Sequence, residues 1–364
     1  MKSTIAVLGL LWAIMAPGGG NLERRLYVTD RSGISVYDID DDHRLLRKIE
    51  LPDTGGYKGI AASPQLGRLY VSSIRKDELV AVDLKTERIV WRKRLGDYAD
   101  SMAITPDGKL LYVPYRNESC WRVVRADTGD VVETIEVARG KNYDVDPIGS
   151  IGPHNTWMNK DGSRVYLEVL TVPHVFIVDT KTNKIIGKVG PFSSGVRPFA
   201  VSEDERFVYA NVDRLLGFEI GAARTGKNWG GPMLVRVEAK TPSERLAHIK
   251  PPPRKPHSTP SHGVNIRPDQ KEVWVVDGVY GYVYAFDVTK NPPQQVASVP
   301  LFTEPSQQPH PGWVSFSLDG KYAYPDGGAV IDAYSKQVVA RIPTSEKLLE
   351  IQFRDGEAVR AGTR

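Results

Sequence analysis

A short hydrophobic motif centred on an aromatic residue recurs along the chain at a nearly regular interval. Successive aromatic positions lie 43, 42, 54, 43, 65 and 50 residues apart. The seven copies are Leu26-Tyr27-Val28, Leu69-Tyr70-Val71, Leu111-Tyr112-Val113, Val165-Tyr166-Leu167, Val208-Tyr209-Ala210, Val273-Trp274-Val275 and Ala323-Tyr324. A base period of about 42 residues, lengthened in places by insertions, indicates repeated supersecondary units.

Each unit predicts four β-strands. A turn such as "TPDGK" or "SLDGK" precedes the motif, and a further strand ending in Asp follows it, as in "VAVDLKTERIV". Short alternating strands separated by Gly, Asp and Asn turns, without a long helical period, indicate an all-β structure. A period near 42 residues with four strands per unit is typical of a β-propeller blade.

Counting the units predicts seven blades. Six complete units begin near residues 57, 99, 153, 196, 261 and 311. The seventh is split, because residues 25–50 supply its outer strands and "LLEIQFRDG" (348–356) resembles the innermost strand of the others. We therefore expect a seven-bladed β-propeller with four-stranded blades, in which residues 348–354 pair beside residues 25–29. Pairing of the two chain ends would remove the open edge of the ring.

The repeats also resemble a known family. The segments "RRLYVTDRSGISVYDI", "GRLYVSSIRKDELVAVDLKTERIV" and "DGKLLYVPYRNESCWRVVRADTGDVV" are similar to the YVTN repeats of bacterial seven-bladed propellers. The resemblance covers nearly all of the chain after residue 22 and implies the same fold. That family is similar to lactonases, streptogramin lyases and simple binding proteins, so the resemblance implies no single activity.

Charge and cysteine content limit the classes of partner and of covalent cross-link that we expect. The net charge of +4 is spread over 364 residues without a long basic run, so we expect no nucleic-acid partner. The single cysteine, Cys120, excludes an internal disulfide framework and is expected to be a buried thiol.

The N-terminus predicts export. Lys2 precedes an apolar stretch from Ile5 to Ala16, which is too short to span a bilayer and fits the hydrophobic part of a secretory signal. We expect residues 1–21 to be a targeting segment and residues 22–364 to be a single propeller domain. The expected location is periplasmic or extracellular, and the expected state is a monomer that is not an integral membrane protein. A buried first strand and an uncleaved anchor are the alternatives for residues 1–21.

In a propeller, the starts of the innermost strands surround one mouth of the central channel. Aligning the blades on their turns places seven residues at this mouth, namely Lys58, Asp100, His154, Arg197, His262, Gly312 and Leu348. Five of them are ionisable, and converging buried charges must pair, bind water or bind a ligand. This mouth is therefore the candidate functional site.

Histidines and long loops map to the same mouth. Besides His154 and His262, four more histidines fall there, and these are His174, His248, His257 and His310. Only His43 maps to the opposite face. The two longest connections between blades, 138–152 and 240–260, also enter this mouth, and long loops on a rigid scaffold often carry function.

These residue types predict several roles. His154, His262 and His310 could bind a zinc or copper ion and leave one position open. Asp100 is a candidate general base or orienting group. Lys58 and Arg197 are candidates for stabilising developing negative charge. These two cations, with His174 and His257, are also the candidate ligand-binding residues. The sequence contains no local metal motif, so a polar channel entrance with trapped water is the alternative.

The leading hypothesis is an exported propeller that binds a small, anionic or oxygen-rich ligand at this mouth. Metal-assisted hydrolysis, elimination or oxidation is the catalytic form of this hypothesis, and whether the chain is an enzyme stays open. The competing hypothesis is a non-catalytic scaffold for another exported protein or a cell-wall component. It would use the rim loops and the proline-rich segment "KPPPRKPHSTPSH" (250–262).

Overall fold

The computed structural model describes residues 21–30, 32–52, 55–137, 152–170, 172–222, 235–250, 260–307, 311–343 and 347–362. All but the last residue of the predicted targeting segment lie outside these ranges, as do His257 and His310. The described chain consists of β-strands and one short helix, α1 (Ser243–His248). None of its helices is long and apolar enough to cross a membrane.

The strands follow one another in groups along the chain. The first three groups are β1 (Leu22–Thr29), β2 (Gly33–Asp38) and β3 (Arg44–Glu50), then β4 (Tyr57–Ser63), β5 (Arg68–Ser73), β6 (Glu78–Asp83) and β7 (Ile89–Arg94), then β8 (Ala103–Ile104), β9 (Leu110–Tyr115), β10 (Cys120–Arg125) and β11 (Val131–Glu136). The next two are β12 (Pro153–Met158), β13 (Arg164–Val169), β14 (Val175–Asp179) and β15 (Lys184–Val189), then β16 (Val196–Val201), β17 (Phe207–Val212), β18 (Gly217–Ala222) and β19 (Val235–Glu238). The last are β20 (Ser261–Ile266), β21 (Glu272–Asp277), β22 (Tyr282–Asp287) and β23 (Gln294–Pro300), then β24 (Val314–Phe316), β25 (Tyr322–Pro325), β26 (Ala329–Asp332) and β27 (Gln337–Arg341), and finally β28 (Leu348–Arg354) and β29 (Glu357–Ala361).

These strands form seven antiparallel sheets. Six sheets contain four consecutive strands each, beginning with β4, β8, β12, β16, β20 and β24, and the seventh has the order β29-β28-β1-β2-β3. The first strand of each four-stranded sheet contacts the first strand of the next one, and β28 contacts β4. The innermost strands therefore surround one axis, and the predicted seven-bladed β-propeller is confirmed.

The recurring aromatic motif is the second strand of each blade. Tyr70, Tyr166 and Trp274 lie on β5, β13 and β21 and are fully or almost fully buried. Successive side chains of a strand point to opposite faces, and each blade packs against a neighbour on both faces. Both sets of side chains are therefore buried, which explains the continuous apolar runs. The outermost strands face solvent on one side and carry exposed polar residues, as in β11.

The closing blade joins the two ends of the described chain. Strand β28 pairs antiparallel with β1 from Leu22 opposite Arg354 to Val28 opposite Leu348. The backbone N–H of Thr29 also donates to the carbonyl of Lys347 at 2.8 Å. The predicted closure by chain-end pairing is thus confirmed.

The closing blade has a fifth strand, where four were expected from the repeats. Strand β29 forms a hairpin with β28 and lies on the axis side of that strand. The turn residues Asp355 and Gly356 have φ values of 53° and 81°. This left-handed backbone suits Asp-Gly and gives the tight turn that two-residue hairpins require.

Candidate functional site

In four of the blades, the innermost strand starts irregularly at its ring residue. Lys58, His154, Arg197 and His262 are each the second residue of such a strand. The pairing with the second strand shifts register at each of these positions. A β-bulge breaks the regular alternation of side chains and re-aims the bulged residue. The sequence therefore places ionisable side chains at the mouth, at the second position of each of these strands.

His154 lies between two carboxylates from different blades. Its Nδ1 is 3.0 Å from Oε2 of Glu168 on β13, and its Nε2 is 3.9 Å from Oδ2 of Asp100. All three side chains are at most 5% exposed. A parallel bridge between Ser101 and Asn155 holds the two blades at this point. The buried imidazole therefore contacts Glu168 directly through Nδ1, whereas a gap separates its Nε2 from Asp100.

The two carboxylate oxygens of Asp100 differ in their hydrogen bonds. The hydroxyl of Ser101 donates to Oδ1 at 3.0 Å. Oδ2 is buried and has no hydrogen-bond partner among the described residues. Nη1 of Arg116, just after β9, is 3.6 Å from it. A buried carboxylate oxygen without a hydrogen bond is costly, so this oxygen is suited to accept one from a water molecule or a ligand group.

Glu168 was not among the predicted residues, yet it is central to the site. Its Oε2 accepts hydrogen bonds from the backbone N–H of Asn155 at 3.2 Å and from the side-chain amide at 3.0 Å. Its Oε1 is buried without a hydrogen-bond partner in the described part of the chain. Complete burial raises the pKa of Glu168 well above its ordinary value, although the charges of Arg197 and Arg116 oppose this rise. Glu168 therefore retains its proton to higher pH than an exposed glutamate.

His262 is neutral beside His154. The centroids of the two rings are 5.8 Å apart, and the ring of Trp313 is 5.3 Å from His262. Burial and the charge of Arg197 lower the pKa of His262 to about 3. Its Nδ1 is 3.2 Å from the carbonyl oxygen of Gly312, which can only accept a hydrogen bond. Nδ1 therefore carries the proton, and Nε2 is the nitrogen that can accept a hydrogen bond or bind a metal.

The cations at the mouth have acidic neighbours. Nε of buried Arg197 donates to Oδ1 of Asp213 at 2.9 Å. Lys58 is partly buried, and its carbonyl accepts a hydrogen bond from Ser101 at 2.9 Å. Burial raises the pKa of Asp326 to about 6, and the positive charges of Lys347 and Lys58 limit this rise. The mouth is thus a nearly balanced set of acids and bases rather than a strongly cationic pocket.

Not every predicted residue lies at this mouth. His174 lies between β13 and β14 and packs beside Gly190. Burial lowers the pKa of His174, and the positive charge of Lys188 on the outermost strand β15 lowers it further. The structure therefore places His174 toward the outer part of its blade. His257 and His310 lie outside the described residues. Within the described ranges, no group of three or more His, Cys, Asp and Glu side chains is arranged to hold a metal ion.

Two acidic groups of the mouth had a detectable sequence signal. Glu168 and Asp326 each lie two residues after the second-strand aromatic of their blade, Tyr166 and Tyr324. Aligning second strands as well as innermost strands would have found both. Arg116 has no such signal, because it lies four residues after the aromatic of its blade, Tyr112, rather than two.

Comparison with known proteins identifies the fold. No family model matches the sequence. No curated protein sequence matches it either. A solved structure of hydrazine synthase from Kuenenia stuttgartiensis is similar over 88% of this chain and 93% of that chain, with 15% identity and a TM-score of 0.64. The structure of a periplasmic gluconolactonase from Pseudomonas aeruginosa is similar over 94% of this chain and 99% of that chain, with 15% identity and a TM-score of 0.66. At this level of identity the likeness shows the propeller fold alone.

Proposed function

We propose that the histidine-containing mouth binds a small hydroxyl-rich molecule and hydrolyses an ester or lactone bond in it. The observation that carries this proposal is the gap between Asp100 and His154. Oδ2 of Asp100 and Nε2 of His154 are 3.9 Å apart, too far for a direct hydrogen bond. A water molecule or a ligand hydroxyl between them would satisfy the buried carboxylate oxygen.

The proposed step is general-base hydrolysis. A water molecule in the gap is held by His154 and gives a proton to Asp100 as its oxygen bonds to the carbonyl carbon. The C–O ester bond then breaks, and the proton returns from Asp100 to the alkoxide oxygen. The products are a carboxylic acid and an alcohol, which for a lactone are two groups of one molecule. Asp100 ends in its starting state.

The surrounding cations fit the charge that this step develops. Arg116 lies 3.6 Å from Asp100, and Arg197 is close enough to influence His262 and Glu168. With Lys58, they supply positive charge near the position where the carbonyl oxygen becomes an oxyanion. Nε2 of neutral His262 can accept a hydrogen bond from a ligand hydroxyl.

The fold comparison supports the substrate class and the location. The Pseudomonas aeruginosa structure is described as a periplasmic gluconolactonase, so a propeller of similar extent is associated there with a lactone and the periplasm. We extend both features to this chain, together with membership of the YVTN-repeat propellers and an export signal in residues 1–21.

A zinc or copper ion is a second form of the same proposal. His154 and His262 would supply two nitrogens, and His310 would supply the third. The contact between Nδ1 of His154 and Glu168 supports this form, because metal-binding histidines usually bond a carboxylate through their other nitrogen. The ion would polarise the carbonyl group of the ligand.

Hydrolysis of aldonolactones tests the proposal. Acid release is followed at constant pH and corrected for spontaneous hydrolysis, and the purified protein is analysed for zinc and copper. We expect Asp100→Asn and His154→Gln to lower kcat about 100-fold or more, as loss of a general base does. His43→Gln, on the opposite face, should leave kcat unchanged. No acceleration by the wild-type protein with any lactone, with or without added zinc or copper, would refute the hydrolase and favour the scaffold hypothesis.

A further inference from the structure

A separate cavity of about 540 Å³ lies at the other end of the channel. It is enclosed by the far ends of the innermost strands and by the unpredicted strand β29. Its volume is within the range of roughly 300–1,000 Å³ that small-molecule sites occupy. The cavity does not include Asp100, His154 or His262 among its lining residues. It is therefore distinct from the candidate hydrolytic site.

The cavity has an apolar wall that is held open. Its apolar lining includes Ile104, Trp157, Phe316 and Val359, all of which are partly or fully exposed. Val359 on β29 is 46% exposed. Apolar side chains that converge on the axis without burying one another form a surface that a ligand can cover.

The two aromatic rings of this wall are fixed from behind. Trp157 packs edge-on against Tyr166, with ring centroids 5.4 Å apart. Phe316 packs in the same manner against Trp274 at 5.5 Å. Edge-to-face contacts restrain ring orientation, so both rings present a fixed flat surface to the cavity.

Among the residues that the structure describes, one cation of the cavity has no acidic partner. Lys160 and Glu203 both line the cavity, and they form an ion pair with each other. Arg360 on β29 also lines the cavity, and within the described ranges no carboxylate lies within ion-pair distance of it. A guanidinium can hold a carboxylate through two parallel hydrogen bonds. The cavity therefore combines flat apolar surfaces with one available positive charge.

We infer that this far-end cavity binds a small molecule with a planar apolar body and one carboxylate group, such as an aromatic acid. The apolar body contacts Trp157 and Phe316, and the carboxylate pairs with Arg360. Strand β29 supplies the charged wall, which gives the fifth strand of the closing blade a function beyond ring closure.

Binding of 2-naphthoate to the full chain tests this inference, with the uncharged 2-naphthamide as the matched probe. Equilibrium dialysis should show that wild-type protein binds the acid more tightly than the amide. Arg360→Gln should lower the affinity for the acid at least tenfold and leave the affinity for the amide unchanged. Arg354→Gln is the control, because Arg354 is an exposed arginine on the neighbouring strand β28. Arg360→Lys keeps the charge but loses the two-bond geometry and should give an intermediate affinity.

The outcomes separate this site from the proposed hydrolase. His154→Gln should not change naphthoate binding, whereas it should lower the kcat of hydrolysis about 100-fold or more. Thermal unfolding of each variant shows whether it is folded before its affinity is interpreted. Equal weakening by Arg360→Gln and Arg354→Gln, or no naphthoate binding at millimolar concentration, would overturn the inference.

Discussion

The two ends of the channel are built from the same strands but present opposite chemistry. Strand β12 carries buried His154 near one end and partly exposed Trp157 near the other. Strand β20 likewise carries a histidine at the mouth, the partly buried His262, and an apolar residue at the far end, the buried Ile266. The mouth contains acids and bases, whereas the far end has an apolar wall and, within the described ranges, one arginine without an acidic partner.

The difference follows from how the strands pair. At the far end the pairing is regular, as in Trp157 opposite Tyr166 and Ile266 opposite Val273. At the mouth a register shift lies at each ring residue of these strands. Regular alternation keeps side chains in the packing between blades, and a bulge releases one side chain from it. A short strand can therefore serve two different sites.

The largest expected effect comes from the closing strand, which both ends need. A chain truncated after Lys347 loses β28 with its buried residues Leu349, Ile351 and Phe353. It leaves an open sheet edge on β1, so we expect insolubility or loss of cooperative unfolding. Circular dichroism during heating measures this.

The matched control is truncation after Asp355, which removes β29 but keeps β28. It should fold, keep the mouth intact and lose naphthoate binding. A chain truncated after Lys347 that melts like the full chain would disprove closure by the terminal strand.

Substitution of His154 should affect ligand binding at the mouth but not at the far end. His154→Ala breaks the buried contacts with Glu168 and leaves polar groups without partners, which should cost about 1–3 kcal/mol of the free energy of unfolding. Urea denaturation measures this cost. Ligand binding at the mouth should be lost, while naphthoate affinity at the far end should stay within twofold. A parallel loss at both ends would mean that the channel behaves as one site.

The pH dependence of the free energy of unfolding should reveal the raised pKa of Glu168. Because burial raises its folded-state pKa, the folded state holds this proton more tightly than the unfolded state. The free energy of unfolding therefore falls as pH rises from the ordinary pKa of glutamate through the raised one. Glu168→Gln mimics the protonated form and should remove this dependence.

Asp277 and Asp326, whose pKa values are raised to about 6, titrate in both the wild type and Glu168→Gln. The effect of Glu168 is therefore taken from the difference between the free energies of unfolding of these two proteins. Urea denaturation at several pH values should show that Glu168→Gln gains stability relative to wild type as pH rises. A difference that does not change with pH would mean that Glu168 titrates normally.

The smallest effect is expected away from both sites. Nε2 of His43 is 2.9 Å from the hydroxyl of buried Tyr324, and burial lowers the pKa of His43 to about 4. His43 is therefore neutral near pH 7 and has a packing role. His43→Gln should cost roughly 1 kcal/mol in thermal or urea unfolding and change ligand binding at neither end. Loss of hydrolysis in this variant would show that the two faces are coupled.

The sequence revealed the fold because the buried second strands require an aromatic or aliphatic residue in every unit. Tyr70 and Trp274 mark such strands, and the split blade follows from counting them. The sequence did not reveal β29, although Asp355-Gly356 is a strong hairpin signal. The residues after this turn lack a regular alternation of polar and apolar side chains.

The sequence placed polar residues at the start of the innermost strands, but it could not give their contacts. The 3.0 Å separation of His154 and Glu168 depends on a bulge in one strand and on the register of the next. Neither can be read from the spacing of aromatic residues. The metal-binding role of His154, His262 and His310 stays a prediction, and so do the roles of Lys58, Asp100 and Arg197.

A high-resolution crystal structure of the protein soaked with both an aldonolactone and 2-naphthoate tests the contrast between the two ends most directly. We predict that the sugar-derived ligand lies at the mouth, with its carbonyl group beside a water molecule that lies within hydrogen-bond distance of both Oδ2 of Asp100 and Nε2 of His154. We predict that naphthoate lies at the far end, with its carboxylate on Arg360. Both molecules at one end, or a mouth that holds no sugar-derived ligand at saturating lactone, would contradict these predictions.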